Sequence, residues 1–236
     1  MIEVKDLTVR YGGVTSLDGM NLLFERGVCG LIGPNGAGKT TFFNVLSGFV
    51  RPASGTVTAF GDDLLRMTHF RRARWGIRRT FQTEQAISAL TVYDNVAMIN
   101  SKLRGSARRS DILEAIEFVG GGVSPWVKVG SLTAGQRRLV EVARAAAGKP
   151  RLVLLDEPAA GLPDEETEHL TQVIKSIPEH TGALTILVDH DMSLVSAVCE
   201  TTAVLDFGKL IASGPTAQVL RDEHVMRAYL GTAEVI

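Results

Sequence analysis

A glycine-rich loop places the strongest constraint on how this chain can fold. Residues 33–40 follow the pattern G-x-x-x-x-G-K-[ST], in which a loop and the start of a helix surround phosphate groups. The apolar run Val28 to Ile32 predicts a buried strand before the loop, and Thr41 to Ser47 predicts a helix that ends at Gly48. A strand, a glycine loop and a helix in this order favour a phosphate-binding site over an incidental glycine-rich turn.

The chemistry of this loop indicates which groups would hold the phosphates. Its glycines let backbone N–H groups approach a phosphate closely, and the helix start adds a partial positive charge of roughly +0.5. Lys39 directs a full positive charge at the β- and γ-phosphates, and Thr40 offers a hydroxyl group to Mg²⁺. The predicted phosphate-binding residues are Gly33, Pro34, Asn35, Gly36, Ala37, Gly38, Lys39, Thr40 and Thr41.

Composition argues against several classes of protein. The chain has 236 residues and a formal net charge of −1, which favours one large domain and argues against a protein that coats nucleic acid. No apolar run reaches the length of about 18 residues that suggests a membrane span, and the acidic N-terminal segment is unlike a signal peptide. Cys29 is expected to be a small core residue, since it shows no paired metal-binding spacing with Cys199.

The apolar pattern predicts an α/β fold. Short apolar runs at Val28–Ile32, Leu152–Leu155 and Leu184–Val188 are typical of parallel strands that are buried on both faces. Alternation over Ile2–Val9, and the run Met20–Phe24, predict strands of an N-terminal antiparallel portion. We therefore expect a P-loop NTPase core with a mainly parallel sheet and this antiparallel portion beside it.

The segment from about residue 84 to 130 has a different pattern. Apolar residues follow helical spacing over Thr91–Leu103 and Asp111–Val119, and no convincing strand pattern interrupts them. We expect this segment to be a helical lobe inserted into a single domain that spans residues 1–236.

A basic run precedes this segment. A solvated face is the simpler interpretation of such a run, and a docking surface for an acidic partner segment is the alternative. The run consists of Arg71, Arg72, Arg74, Arg78 and Arg79.

Two acids follow the apolar run at Leu152–Leu155. Loops after the carboxyl ends of parallel strands converge on the same edge of a sheet, so we expect Asp156 and Glu157 near the phosphate loop. Asp156 would then hold Mg²⁺ through its water shell, and Glu157 would orient an attacking water, as phosphoryl transfer requires. A capped strand–helix turn is the alternative interpretation.

Three further side chains could contact the nucleotide if the phosphate loop and these two acids form one site. Gln82 ends a predicted strand just before the helical segment, where it could sense the γ-phosphate. His190 follows the Leu184–Val188 strand and could contact the same phosphate, and Tyr11 could stack on a nucleotide base. Structural roles are the alternatives for all of them.

Taken in order, these motifs resemble those of ATP-binding subunits of ABC transporters, and the resemblance covers nearly the whole chain. It implies ATP and Mg²⁺ as ligands, an ATPase activity coupled to transport, and Gln82 as a metal contact and catalytic residue with Glu157 and His190. The segment Leu132–Gln136, here called the signature segment, corresponds to the family's signature, so Thr133, Gly135 and Gln136 are expected to contact nucleotide. The matching elements are Tyr11 as the adenine-stacking residue, residues 33–41 as Walker A, Gln82 as the Q-loop, the signature segment, Asp156 and Glu157 as the end of Walker B, and His190 as the switch histidine.

A narrower resemblance is to the ATPases of branched-chain amino-acid uptake systems. Urea and short-chain amide importers look similar, so the resemblance leaves the solute open. It depends on residues 79–82, 156–162, 189–192 and 227–231.

Two segments depart from the family pattern. Thr133 and Ala134 replace a serine and a glycine of the usual LSGGQ signature, although Thr133 keeps a hydroxyl group. Pro163 and Asp164 stand where the family has an acid or asparagine followed by proline, a loop that normally lies at the interface between two ATPase chains.

The resemblance also implies partners and location. It suggests a homodimer, or a heterodimer with a paralogous ATPase, under membrane-spanning permease subunits at the cytoplasmic face of the membrane, with no nucleic acid as a partner. An export or lipopolysaccharide-extraction ATPase, or a non-transport ABC ATPase, is the alternative. Non-transport members usually join two nucleotide-binding halves or carry a coiled-coil or zinc insertion, and this sequence has a single Walker A, no heptad run and no cysteine cluster.

Overall fold

The computed structural model describes residues 1–100 and 108–230, and strands and helices alternate over much of this length. In chain order the strands are β1 Ile2–Tyr11, β2 Val14–Phe24, β3 Val28–Ile32, β4 Ser54–Ala59, β5 Asp62–Asp63, β6 Ile77–Arg79, β7 Leu152–Asp156, β8 Leu184–Val188, β9 Thr201–Asp206 and β10 Lys209–Pro215. The helices are α1 Lys39–Ser47, α2 His69–Trp75, α3 Val92–Asn100, α4 Arg109–Val119, α5 Ala134–Ala146, α6 Asp164–Thr181, α7 Met192–Val198, α8 Thr216–Val219 and α9 Glu223–Leu230. The predicted α/β class is confirmed.

The chain divides into two compact units. The first unit contains the residues up to Arg72 and those from Ile186 onward, and the second contains Ala73 to Thr185. An antiparallel sheet in the first unit has the strand order β2-β1-β4-β5, with Ile2 opposite both Phe24 and Ala59. This sheet confirms the predicted antiparallel portion.

The first unit also holds the strand that leads into the phosphate loop. Strand β3 pairs in parallel with β9, and β9 pairs antiparallel with β10. The end of β8 (residues 186–188) is the neighbour of β3 on the side opposite β9. Every residue of β3 and β8 is buried, which is why both strands are mainly apolar, with Thr185 as the polar exception in β8, and why their predicted bounds are correct.

The second unit contains a parallel pair of strands and several helices. Strand β6 pairs with β7 so that Arg79 lies opposite Leu154, and the start of β8 follows β7. The predicted helices of the segment 84–130 are found as α3 and α4, although residues 101–103 of the first prediction lie outside the described residues. Its described part contains a single bridge, between Thr91 and Lys128, and no strand. That this segment is an inserted lobe stays a prediction.

Some predicted bounds are wrong for identifiable reasons. The sequence predicts that Gln82 ends a strand, but β6 ends at Arg79, because Arg138 of α5 holds the backbone at Phe81 and Gln82. Helix α6 extends to Thr181 with Pro178 inside it, although proline usually ends a helix, and it stops before Gly182, which is in a left-handed conformation (φ +74°). Within the described part of the chain, no helix combines the length and apolar character needed to cross a membrane.

Both cysteines lie in the first unit and are buried. Cys29 in β3 is 0% exposed and Cys199 after α7 is 7% exposed. Burial raises the pKa of the Cys29 thiol to about 11 and also raises the pKa of Cys199. The expectation that Cys29 is a core residue is confirmed.

The interpretation of the basic run as a solvated face is wrong for part of it. Arg71 and Arg74 are exposed, whereas Arg72 and Arg78 are only 4% and 6% exposed. The Arg79 side chain is likewise buried, against an acid of β7. The buried members are therefore unavailable to a docking partner.

Arg72 is a structural residue at the end of α1. Its guanidinium group donates to the carbonyl oxygens of Val45 and Leu46, the latter at 3.0 Å, and to that of Met67 at 3.1 Å. A cation at the carboxyl end of a helix also interacts favourably with the helix dipole. Burial lowers the pKa of Arg72, the charge of Asp63 opposes that shift, and the carbonyl contacts offset the cost of burying the charge.

We expect Arg72→Met to lower the free energy of unfolding by about 2–3 kcal/mol, because it removes charge-assisted hydrogen bonds to carbonyl groups at the end of α1. Chemical denaturation of the purified chain measures this difference. Arg71→Met is the matched control, since Arg71 is the exposed neighbour in the same helix. Equal unfolding midpoints for both variants would show that Arg72 has no such structural role.

Candidate nucleotide-binding site

The candidate site residues fall into two groups. Tyr11, the phosphate loop (residues 33–41) and His190 belong to the first unit. Gln82, the signature segment and the acids after β7 belong to the second unit.

The phosphate loop folds so tightly that two of its glycines, Gly33 and Gly38, have no room for a side chain. A Cβ atom on Gly33 would lie 2.2 Å from the carbonyl oxygen of Leu205, and one on Gly38 would lie 2.7 Å from that of Ser16. Gly38 also has a φ of +107°, which favours glycine. The loop thus turns directly into α1, whose first N–H groups form an anion-binding helix start.

Lys39 provides the positive charge of this loop. Its ammonium group donates to the carbonyl oxygens of Gly33 at 2.5 Å and Pro34 at 2.9 Å, and the residue is 8% exposed. Thr40 is exposed at the first turn of α1, whereas the Thr41 hydroxyl lies 2.7 Å from that of Ser16. The structure therefore distinguishes an accessible threonine from one that anchors the helix.

His190 follows β8 in a turn that its neighbours fix. The carboxylate of Asp189, which is 2% exposed, accepts the backbone N–H groups of His190 at 2.8 Å and Asp191 at 3.0 Å. The His190 side chain is 66% exposed, with Nδ1 3.8 Å from Asp189 Oδ1. Asp191 in turn caps the start of α7. This turn presents the imidazole to solvent.

Tyr11 ends β1 opposite Val14, and its side chain is exposed. An exposed ring at a strand end is accessible to a stacking partner, and its role as the adenine contact stays a prediction.

Asp156 is held at the end of β7 by two neighbours from the β6 side. Its Oδ2 atom accepts from Arg79 Nη2 at 3.0 Å, and both side chains are almost fully buried. Its backbone N–H donates to the Thr80 hydroxyl at 3.1 Å. Arg79 was not predicted as the partner of this acid, because the sequence does not show which arginine will pair with a given carboxylate.

Glu157 has an unusual backbone conformation. Its φ is +46°, a left-handed conformation that costs a residue with a Cβ atom about 1–2 kcal/mol. Such conformations concentrate at functional sites, where the surrounding structure imposes them. The turn that begins at Glu157 is held by a hydrogen bond of 3.3 Å from the Ala160 N–H to its carbonyl oxygen.

The segment that contains Gln82 is held by side chains of α5. Arg138 Nη2 donates to the Gln82 carbonyl oxygen at 3.0 Å, and Arg138 Nη1 lies 2.9 Å from Glu141. Glu141, which is 4% exposed, accepts the Gln85 N–H at 2.6 Å, and Arg144 donates to the Gln85 carbonyl oxygen at 2.9 Å. Helix α5 therefore positions the backbone around Gln82, whose side chain is exposed.

The signature segment forms the start of α5. Thr133 caps the helix in a capping box, since its hydroxyl accepts the Gln136 N–H and its own N–H donates to the Gln136 side chain, both at 3.2 Å. The replacement of serine by threonine thus preserves a helix cap. Glu166 of α6 also contacts this segment, a partner that the sequence analysis missed.

Comparison with protein families identifies two regions. Residues 17–160 match the family described as "ABC transporter", and residues 209–235 match "Branched-chain amino acid ATP-binding cassette transporter".

Curated relatives cover the whole chain. It is 33% identical to the high-affinity branched-chain amino acid transport ATP-binding protein BraF of Pseudomonas aeruginosa, over 99% of this chain and 98% of the relative. It is 32% identical to LivG of Escherichia coli K12, an ATP-binding protein of the same description, with the same coverage. The methionine import ATP-binding protein MetN 3 of Pseudomonas fluorescens is 37% identical, over 93% of this chain and 70% of the relative.

Solved structures show the same fold. The ADP conformation of MJ1267, an ATP-binding cassette of an ABC transporter, has a TM-score of 0.85 and 25% identity, over 98% of both chains. The dimeric structure of MJ0796, a bacterial ABC transporter cassette, has a TM-score of 0.80 and 25% identity, over 92% of this chain and 99% of that one. The family match, the full-length relatives and the fold together show that this chain belongs to the ABC transporter family, as one of its ATP-binding and ATP-hydrolysing subunits.

Proposed function

We propose that this chain powers the import of branched-chain amino acids or a related small polar solute. The match of residues 209–235 to the branched-chain amino acid family carries this proposal, because it lies outside the part of the chain shared by ABC transporters in general. The names of BraF and LivG agree with it. Because the methionine importer MetN 3 is also similar, the proposal includes related small polar solutes.

The residues of the first unit fit the phosphates of ATP. The loop has no room for a side chain at Gly33 or Gly38, Lys39 places its ammonium group over the loop, and the start of α1 supplies N–H donors. We propose that residues 33–41 bind the phosphates, that Tyr11 stacks on adenine and that His190 contacts the γ-phosphate.

The proposed Mg²⁺ contacts are oxygen donors, which Mg²⁺ prefers. They are the Thr40 hydroxyl, the Asp156 carboxylate and the Gln82 side chain; the hydroxyl and the amide are exposed. The bound ion would neutralise charge on the phosphate groups. Arg79 holds the Asp156 carboxylate in a fixed orientation in this chain, and Glu157 would orient the attacking water.

Hydrolysis in this proposal requires two ATPase chains. The signature segment presents the helix-start N–H groups of α5 together with the Thr133 hydroxyl, which suits a γ-phosphate. We propose that it contacts the nucleotide of a second chain, either a copy or a paralogue, and the dimeric MJ0796 cassette supports such pairing. The remaining partners would be membrane-spanning permease subunits, which would place the chain at the cytoplasmic face of the membrane.

Uptake in the source organism tests the solute. Deletion of the gene should lower the uptake of labelled leucine, isoleucine and valine, and the native chain should restore it. A Lys39→Ala chain should not restore it, because that variant lacks the phosphate-binding charge. Labelled methionine is the comparator. Unchanged uptake of all four amino acids after deletion, with active ATPase in the purified chain, would exclude these amino acids as the solutes.

A further inference from the structure

A carboxylate of the same chain occupies the donors of the signature segment. Glu166 Oε1 accepts from the Thr133 hydroxyl at 2.8 Å, and Glu166 Oε2 accepts from the Gly135 N–H at 3.0 Å. A Cβ atom on Gly135 would lie 2.5 Å from Glu166 Cδ. The absence of a side chain at position 135 is thus what lets the carboxylate reach the helix start.

These contacts have the chemistry of a bound phosphate. A carboxylate and a phosphate are both anions with neighbouring oxygens. Either can accept hydrogen bonds from a hydroxyl group and an N–H group at the positive end of a helix. Each of these donor hydrogens is directed at the carboxylate, so a phosphate at the same position must displace it. The negative charge of Glu166 would also repel an approaching phosphate.

We propose that Glu166 is an autoinhibitory residue that competes with the γ-phosphate of a second chain's ATP for the signature segment. The inference rests on the proposed two-chain arrangement. Glu166 keeps the signature donors satisfied in the single chain, and dimer closure must release it. Breaking the Glu166 contacts costs free energy, which weakens ATP-driven dimerisation. Two chains therefore pair only when the γ-phosphate of ATP binds the signature segment more strongly than Glu166 does.

The surroundings leave room for Glu166 to move. A surface cleft of ≈ 330 Å³ adjoins the contact, lined by Gly121, Leu139 and His169 among others. His169 lies 2.8 Å from the Val119 carbonyl oxygen, and its ring borders the cleft without blocking the signature donors. Rotation of the Glu166 side chain into this cleft would free Thr133 and Gly135 without moving α6.

The test uses chains that cannot complete hydrolysis. A Glu157→Gln chain at saturating Mg-ATP serves as the reference, and Glu166→Gln is added to it. The double variant should form dimers with a dissociation constant about tenfold lower at low salt, since the competing charge is absent. Sedimentation equilibrium measures the constant, and a fluorescent-nucleotide titration should give equal ATP affinity for the single chains.

Glu165→Gln in the same reference is the matched control. Glu165 precedes Glu166, lines the same cleft and carries the same charge, so this variant reports the effect of charge alone. We expect less than a twofold change. Glu166→Ala is a second variant, because it removes the contact even if the glutamine amide retains it.

The outcomes separate the two proposals. Tighter dimers with both Glu166 variants and not with Glu165→Gln support the autoinhibitory contact. Dissociation constants equal to that of the reference overturn it and leave the two-chain arrangement intact. A reference chain that binds ATP and stays monomeric refutes the two-chain arrangement, and the autoinhibitory role with it.

Discussion

A Glu157→Gln chain is expected to bind Mg-ATP about as tightly as the native chain and to hydrolyse it at least ~100-fold more slowly, a loss typical of a missing general base. Glutamine retains the size of glutamate and the left-handed φ of +46° imposes a similar cost on both residues. The substitution therefore removes the carboxylate without changing the turn. Release of phosphate and a nucleotide titration measure the two quantities.

Two companion variants separate chemistry from folding. Glu157→Gly should raise the free energy of unfolding by about 1 kcal/mol, because glycine adopts this backbone conformation without strain, and should still lack activity. Glu168→Gln, an exposed acid of α6, should hydrolyse ATP normally. Near-native turnover by Glu157→Gln would exclude the carboxylate as the group that acts on water.

Substitution of Lys39 is expected to produce the second large effect, on affinity rather than turnover. Lys39→Ala should weaken Mg-ATP binding by ~2–4 kcal/mol, since it removes a desolvated charge from the phosphates. The ammonium group also donates to the carbonyl oxygens of Gly33 and Pro34, so part of any loss could come from a disordered loop. Lys39→Arg keeps a positive charge and N–H donors, so it should lose less affinity than Lys39→Ala if charge is the cause, and thermal unfolding of both variants reports any disorder of the loop.

Lys209→Met is the matched control for this measurement. Lys209 is exposed and its ammonium group lies 3.5 Å from the Asp18 carboxylate, a surface pair that contributes little to stability. Equilibrium titration with a fluorescent ATP analogue gives the affinities. A Lys39→Ala affinity equal to that of the native chain would contradict the proposed role of the loop.

Local features of the fold could be predicted from the sequence. The strand, loop and helix around Lys39 follow from residues that are adjacent in the chain, and β3 and β8 have the predicted bounds because buried parallel strands need continuous apolar runs. Helix α6 continues through Pro178 to Thr181, which the sequence does not indicate, because an interior proline removes a hydrogen bond, its ring clashes with a carbonyl of the preceding turn, and it usually breaks a helix.

Pairings between distant segments could not be predicted. Arg79 and Asp156 are separated by 77 positions, and Thr133 and Glu166 by 33. The basic run gives an example of this limit. Arg71 and Arg72 are adjacent and of the same residue type, yet one is exposed and the other is buried. Only the tertiary position of the α1 carboxyl end determines that one is buried and the other exposed.

Because both cysteines are buried, the native chain should react little with thiol-directed spectroscopic labels. With a pKa of about 11, Cys29 is almost entirely in its thiol form at neutral pH, and the residue is 0% exposed. Burial disfavours the thiolate of Cys199 in the same way. A single cysteine introduced at an exposed position such as Ser196 can therefore carry a spin label or a fluorophore in the otherwise native sequence, so that distances between two chains can be followed through the ATP cycle.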